Sequence, residues 1–247
     1  MRQEISLPTD DGAARAFVFT PDAGADPWPA AIIAMDAPAI RPALFDMGER
    51  LAQAGYLVLL PDLFWRAGPY DPPDIKAARA GDPEAVAVFQ KLRGSTGAGR
   101  QMTDIKACLD FLASEPRAKA DKVGITGYCM GGGIALRAAG TFPDRIAAMA
   151  SFHGGNMATD DEKSPHRLAD RIRAKVLVAG AEADSSYDEA QDARLRQALA
   201  DAGVDAEVGI WAGCKHGWVP TDMAVHNPTG AERHWRELVA LFDGVLK

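Results

Sequence analysis

The chain contains no long apolar run, no excess of basic residues and no cysteine pairing pattern. No stretch approaches about 18 consecutive apolar residues, the length that a membrane-spanning helix needs, so we expect no membrane segment. A formal net charge of −7 disfavours nucleic-acid binding, because surfaces that bind phosphates concentrate basic charge. The three cysteines lack regular spacing, and the first residues lack a basic-then-apolar signal segment. We therefore expect a cytoplasmic protein.

Length and composition predict one domain. The chain has 247 residues, of which 47% are hydrophobic and 25% are charged, as in ordinary globular proteins with a large core. Short β-type runs alternate with helical patterns along the sequence. This alternation predicts an α/β fold over residues 1–247, with a mostly parallel, doubly wound sheet and an N-terminal antiparallel hairpin.

The individual elements follow from apolar periodicity and turn signals. The hairpin is predicted over residues 2–7 and 14–19, on either side of an Asp-Asp-Gly turn. Parallel strands are predicted over residues 30–35, 56–60, 122–126, 146–152, 175–180 and 207–211. Helices are predicted over residues 43–54, 100–114, 130–139, 187–202 and 231–246. The segment 66–99, rich in Pro, Gly and Asp, follows a strand end, so we expect it to cover a pocket, with a helix over residues 83–92.

The most informative stretch is a strand-like run followed by Gly127-Tyr-Cys-Met-Gly131 and a helix. In a nucleophile elbow the reactive residue sits on a strained strand-to-helix turn, and its neighbours at minus two and plus two are small because strand and helix pack closely. Gly127 and Gly131 occupy those positions around Cys129. The pattern therefore predicts that Cys129 is a nucleophile.

Two other interpretations of this turn stay open. A glycine-rich strand-to-helix turn also binds dinucleotides, but Leu136 stands where the third glycine of that fingerprint belongs. A nucleotide-dependent oxidoreductase therefore remains the alternative enzyme class. Cys129 could also be a small buried hydrophobe, as free cysteines often are.

A cysteine nucleophile needs a base, because a free thiol has a pKa of about 8.5 and is mostly protonated at neutral pH. After an elbow, the acid and then the histidine follow on loops at the ends of later strands. Asp184 comes after the strand at 175–180, and His216 comes after the strand at 207–211. Glu182 competes for the acid position, but the shorter Asp184 lies in a more turn-prone setting.

The other histidines are weaker candidates for the catalytic base. His166, His226 and His234 are predicted to be solvated, from a polar stretch, a loop and an amphipathic helix respectively. His153 follows the strand at 146–152 and precedes two glycines, and ligands gather at such strand ends. It is a candidate substrate contact, with a structural loop residue as the alternative.

Four motifs in this order resemble those of the dienelactone hydrolase family. They are the Pro61–Arg66 segment, the elbow around Cys129, and the Gly180–Asp184 and Gly213–His216 segments. The resemblance covers nearly the whole chain and implies an α/β-hydrolase fold. It further implies that Cys129 is the nucleophile, with His216 as base and Asp184 as the orienting carboxylate. The implied substrate is a small-molecule ester or lactone, hydrolysed without cofactor or metal.

The sequence departs from the family at two places. The family has a thiol-contacting glutamate after the third strand, where this chain has the shorter Asp36. Family members that bind a dienelactone carboxylate use two arginines; Arg66 matches the first, but Pro220 replaces the second and can carry no charge. Three aromatic residues near these positions suggest an apolar substrate pocket: Trp65, Tyr70 and Trp218.

The predicted reaction is acyl transfer through a thioester on Cys129, with the backbone N–H groups of Ala37 and Met130 binding the oxyanion. A binding relative of the fold without catalysis is a further alternative, since a fold does not fix function. That alternative requires the Cys129, Asp184 and His216 side chains to lie apart. We expect a monomer or small homo-oligomer with no nucleic-acid partner.

Overall fold

The computed structural model describes the backbone of all 247 residues and every side chain except that of Arg79. Its centre is one eight-stranded sheet in the order β1-β2-β4-β3-β5-β6-β7-β8. The strands are β1 Arg2–Thr9, β2 Gly12–Phe19, β3 Trp28–Ala34, β4 Leu57–Pro61, β5 Ala118–Tyr128, β6 Ile146–Phe152, β7 Lys175–Ala181 and β8 Ala206–Trp211. The pairs β1–β2 and β2–β4 are antiparallel, and every other pair is parallel.

Helices cover both faces of the sheet. They are α1 Pro42–Gln53, α2 Ile75–Arg79, α3 Pro83–Gly94, α4 Ala98–Ser114, α5 Met130–Thr141, α6 Glu189–Asp201 and α7 Pro228–Leu246. Arg50 of α1 binds Glu232 of α7 at 2.7 Å, so these two helices share a face, while α4 packs beside α5. Because helices cover the central strands on both faces, β4 is buried along its whole length and can be apolar throughout.

The predicted fold is confirmed, with the hairpin at the N-terminus and strand-helix alternation after it. Most element ends lie within three residues of the prediction. Strand β5 is an exception: it begins at Ala118 because this part of the strand pairs with Trp28 and Pro29 of β3 before a register shift. Among the described residues, no helix combines the length and the hydrophobicity needed to cross a membrane.

The segment after β4 forms two short helices outside the sheet layers. Asp74 caps α2 and Asp82 caps α3, each accepting a backbone N–H three residues on at 2.8 Å. In α3 only Leu92 is buried. Between α3 and the chain before α2 lies a groove of about 580 Å³, lined by residues 69–74, by Ala77 and Asp82, and in α3 by Glu84, Ala85, Val88, Lys91 and Leu92. That this segment covers the pocket above Cys129 stays a prediction.

Candidate active site

Cys129 occupies the turn between the end of β5 and the start of α5, as the elbow pattern predicts. Its φ of 54° lies in the left-handed region, which is uncommon for a residue with a side chain. Such a turn lifts the side chain out of the sheet layer, and Cys129 is partly exposed while Cys108 and Cys214 are buried. The local geometry is therefore that of a nucleophile elbow.

The flanking glycines are required by close backbone packing. A Cβ at Gly127 would lie 2.0 Å from the carbonyl oxygen of Gly131, and a Cβ at Gly131 would lie 2.1 Å from that of Ala34. No side chain fits there unless the backbone moves. The second contact also fixes the start of α5 against the end of β3, beyond which Ala37 follows.

The three residues predicted as a triad are brought together. The His216 Nδ1 lies 2.5 Å from Asp184 Oδ2. Burial lowers the pKa of His216, but the hydrogen bond with Asp184 and the neighbouring Cys129 thiol oppose burial and raise the pKa to about 10. With Nδ1 bonded to Asp184, the other ring nitrogen is left for the sulfur. The arrangement matches a nucleophile, a base and an orienting acid.

Asp184 is held by a residue that sequence reasoning missed. The backbone N–H and the hydroxyl of Ser186 donate to Asp184 Oδ1 at 2.8 and 2.7 Å. Burial raises the pKa of Asp184, but hydrogen bonds from His216 and Ser186 outweigh it and lower the pKa below its usual range. The signal was present, since an Asp with a Ser two residues on is typical of an Asx turn. The competitor Glu182 instead accepts the N–H of Gly213 at 3.2 Å.

The raised pKa of His216 predicts a pH-dependent contribution to stability. A histidine whose pKa rises from 6.5 to about 10 on folding stabilises the protein fully below pH 6.5, and this stabilisation is lost as the pH rises toward 10. The lowered pKa of Asp184 acts in the opposite pH range, because its stabilisation is lost only in acid. Between pH 6.5 and about 9, we expect the free energy of unfolding to fall by on the order of 1–3 kcal/mol.

Urea denaturation over this pH range, compared between the wild type and His216→Gln, would measure the effect. Groups that titrate in both proteins cancel in the difference. An equal pH slope in the variant would show that His216 is not stabilised in its charged form.

The two backbone N–H groups predicted to bind the oxyanion have no hydrogen-bond acceptor among the described residues. Those of Ala37 and Met130 donate to no protein oxygen among the described residues, whereas that of Gly132 donates to the Cys129 carbonyl at 3.1 Å. Met130 is the first residue of α5, where the helix dipole favours negative charge. Their role as an oxyanion hole stays a prediction.

His153 lies beneath the nucleophile, which corrects the prediction that it contacts substrate. The side chain is completely buried, and its Nδ1 accepts the Cys129 N–H at 3.1 Å. Burial, and to a lesser extent the neighbouring His216, keep the pKa of His153 well below its usual range, so the ring is neutral. Because β6 pairs with β5, the residue after β6 reaches the elbow from below and supports its backbone.

Trp218 and His234 also differ from expectation. Trp218 was predicted to contact substrate, but it is completely buried and its ring packs 5.0 Å from that of His153. His234 was predicted to be solvated, yet it is buried, and its Nε2 pairs with the Tyr128 hydroxyl at 2.8 Å. His166 is likewise buried, beside Ser164. These side chains form the layer behind the elbow and the adjacent loop, so none is available to a ligand.

Asp36 is bound by an arginine that the sequence analysis did not single out. Both of its carboxylate oxygens accept from Arg41, at 2.6 and 2.9 Å, and Asp36 is 2% exposed. Among the described residues, no hydrogen bond joins Asp36 to Cys129. The predicted contact with the thiol is therefore replaced by an ion pair, and Arg41 also binds Asp222.

Arg66 has carboxylate partners within the protein. It donates to Asp11 at 2.6 and 2.8 Å and to Asp104 at 2.8 and 2.9 Å, and its side chain is 8% exposed. Trp65 donates to the same Asp104 at 3.2 Å. These bonds tie the segment after β4 to the β1–β2 turn and to α4. The structure favours this tethering role over the predicted substrate clamp.

Tyr70 is half-buried at the start of the segment that contains α2 and α3. Its hydroxyl donates to Asp62 at 2.6 Å, and its ring lines the groove described above. Of the three aromatic residues predicted to contact substrate, Tyr70 is the one that lines this groove. Its contact with substrate stays a prediction.

Comparisons with known proteins confirm the family resemblance of the sequence. The sequence profile of the Dienelactone hydrolase family matches residues 14–246. A protein of Synechocystis sp. named "Putative carboxymethylenebutenolidase" is 25% identical over 223 residues, which cover 89% of this chain and 87% of that protein. The crystal structure of a "Putative Dienelactone Hydrolase" from Klebsiella pneumoniae matches with a TM-score of 0.85 at 24% identity, covering 98% of both chains. A dienelactone hydrolase-like promiscuous phosphotriesterase from metagenomic libraries matches with a TM-score of 0.80 at 19% identity, covering 100% of this chain and 99% of that one.

The strand order, the elbow and these structural likenesses define an α/β-hydrolase fold. Because the family profile spans nearly the whole sequence, the chain belongs to the dienelactone hydrolase family. Membership favours a hydrolase that acts on small molecules over a nucleotide-dependent oxidoreductase. The proximity of Cys129, Asp184 and His216 disfavours a binding relative without catalysis.

Proposed function

We propose that the protein hydrolyses carboxylic esters or lactones through a Cys129–His216–Asp184 triad. The observation that carries the proposal is the position of the histidine, which is bonded to Asp184 through Nδ1 and lies beside Cys129 at an elbow. The raised pKa of His216 means that the site stabilises the protonated ring, which forms when the base accepts the thiol proton. The lactone part of the proposal draws on the name of the Synechocystis relative.

The reaction proceeds in two steps. The Cys129 sulfur attacks the carbonyl carbon while His216 holds the thiol proton, and the carbonyl oxygen becomes an oxyanion bound by the N–H groups of Ala37 and Met130. The intermediate collapses, the carbon–oxygen bond breaks, and His216 gives its proton to the leaving alkoxide. Water, deprotonated by His216, then cleaves the thioester to release the acid and the thiol. Asp184 holds the ring in the productive tautomer throughout.

Alkylation with iodoacetamide tests the nucleophile. Cys129 is the partly exposed cysteine and lies beside a histidine, so we expect one carbamidomethyl group on Cys129, with ester hydrolysis lost in proportion to labelling. Burial raises the pKa of the thiols of Cys108 and Cys214, so these two serve as internal controls that stay unlabelled. Peptide mass spectrometry locates the label, and a chromogenic ester reports activity. Activity that survived complete labelling of Cys129 would place the nucleophile elsewhere.

A further inference from the structure

Every donor of the Arg41 guanidinium is occupied. Its Nε donates to Asp222 at 2.6 Å, and its Nη1 donates to Asp36 at 2.6 Å and to the carbonyl oxygen of Ala39 at 3.1 Å. Its Nη2 donates to Asp36 at 2.9 Å and to Asp222 at 3.2 Å. A guanidinium carries five N–H groups, so these five bonds saturate it. Arg41 therefore has no donor left for a ligand while both carboxylates stay in place.

The cluster of Asp36, Arg41 and Asp222 joins the loop after β3 to the loop that follows His216. Asp36 precedes Ala37, whose N–H is the predicted oxyanion donor, and Asp222 is on the loop that follows His216. The side chains of Arg41 and Asp36 are 7% and 3% exposed, but that of Asp222 is 42% exposed. Asp222 is thus the member of the cluster that separates the guanidinium from solvent.

The charges of this cluster oppose a substrate carboxylate. Two carboxylates and one guanidinium leave one net negative charge beside the site, and a like charge that approaches it is repelled. Arg66 does not attract a substrate carboxylate in its place, because its own positive charge is paired with Asp11 and Asp104. A carboxylate could reach Arg41 only by displacing Asp222, which already forms two charge-assisted hydrogen bonds with it.

We propose that Asp222 determines substrate specificity: its carboxylate fills the edge of Arg41 where a substrate carboxylate would bind, so the site takes esters that carry no carboxylate near the scissile bond. This inference rests on the proposed function for its substrates, but its geometry concerns any anion that approaches Cys129. Asp222 affects which substrates bind, by pairing with Arg41 and by its negative charge, and it takes no part in bond cleavage.

Two alkylating agents of nearly equal size test the inference without any hydrolysis. Iodoacetate is anionic and iodoacetamide is neutral, and both alkylate thiols. We expect Asp222→Ala to raise the rate of Cys129 alkylation by iodoacetate, relative to iodoacetamide, by roughly 10-fold or more, because one charged hydrogen-bond edge of Arg41 becomes free. Free glutathione provides the intrinsic ratio for the two agents. An unchanged ratio in Asp222→Ala would overturn the inference.

Asp144→Ala is the matched control. Asp144 is an exposed aspartate paired with Arg173, so its loss changes the net charge and frees an arginine in the same way, but it lies before β6 at the opposite edge of the sheet. We expect its alkylation ratio to equal that of the wild type. An equal rise in both variants would show a general charge effect and would also contradict the inference. Should Asp222→Ala not fold, Asp222→Asn removes the charge with little change of shape.

Ester kinetics extend the test to substrates. We expect Asp222→Ala to raise kcat/KM for 4-nitrophenyl hemisuccinate relative to 4-nitrophenyl pentanoate by a similar factor, since the first ester carries a carboxylate and the second does not. Equal losses for both esters would mean that Asp222 only supports the loop. The two hypotheses fail separately: ester hydrolysis that persisted without Cys129 would defeat the proposed function, whereas an unchanged alkylation ratio would defeat the specificity role alone.

Discussion

Replacing Cys129 with alanine should lower ester turnover by about six orders of magnitude, leaving only the residual rate acceleration that the oxyanion hole and substrate binding provide. The substitution removes the atom that forms the acyl intermediate, and no neighbouring side chain can take its place at the elbow. The backbone should tolerate alanine, because the strained φ of 54° is imposed by close packing around Gly127 and Gly131. Turnover of a chromogenic ester and circular dichroism of the purified variant measure activity and folding separately.

Cys214→Ala provides the matched control. Cys214 lies on the same loop as His216 and is buried, so it tests whether the loss of a thiol near the site affects activity by itself. We expect kcat/KM within a few-fold of the wild type. Substantial turnover in Cys129→Ala would refute the triad proposal, whatever the result for Cys214.

Replacing Asp184 with asparagine should reduce kcat by about four orders of magnitude. The amide cannot hold the His216 ring in the tautomer that takes the thiol proton, and it cannot stabilise the charged imidazolium. The pKa of His216 should also fall, since the hydrogen bond with Asp184 is one of the interactions that raise it. Pre-steady-state measurements of acylation should therefore show the loss in the first chemical step.

Glu182→Gln separates this effect from a general loss of negative charge on the loop. Glu182 lies two residues before Asp184 and contacts the N–H of Gly213, so it is near the triad but outside it. We expect a change of less than about 10-fold in kcat. A larger loss in Glu182→Gln than in Asp184→Asn would assign the acid to Glu182 instead.

The elbow and the order of its partners could be predicted because they are encoded locally. Gly127, Cys129 and Gly131 lie within five consecutive residues, and the spacing follows from the contact between a strand and the helix that continues it. Asp184 and His216 follow strands whose apolar runs are visible in the sequence. The carboxyl ends of parallel strands meet at one edge of a sheet, so sequence order was enough to bring them together.

The environment behind the site could not be predicted in this way. His153 and His234 are polar residues, and their burial depends on which strands and helices lie beside them. His153 is buried because the neighbouring β5 carries the elbow above it, and His234 because Tyr128, at the end of β5, offers a hydrogen-bond partner to helix α7. Such pairs join residues 24 and 106 positions apart, beyond the reach of local patterns.

The ion pairs of Arg41 could not be predicted from local sequence patterns either. Its partner Asp36 is close in sequence, but Asp222 lies 181 positions away and joins it only when the loops after β3 and β8 meet. Resemblance to a family pointed to Asp36 and Arg66 as groups that act on the thiol or on substrate. In this chain other charged residues bind both of them, and a comparison of motif positions alone does not reveal such partners.

The glycines of this protein divide into two groups that should respond differently to random substitution. At Gly127 and Gly131 a Cβ would meet backbone atoms at 2.0 and 2.1 Å, so directed evolution should recover almost no active variant there. At Gly94, the last residue of α3, and at Gly99, in the first turn of α4, a Cβ would meet no described atom within 4 Å. Mutational libraries that seek new substrates should therefore leave the elbow untouched and concentrate their diversity in this outer segment, where the chain can change without disturbing the sulfur.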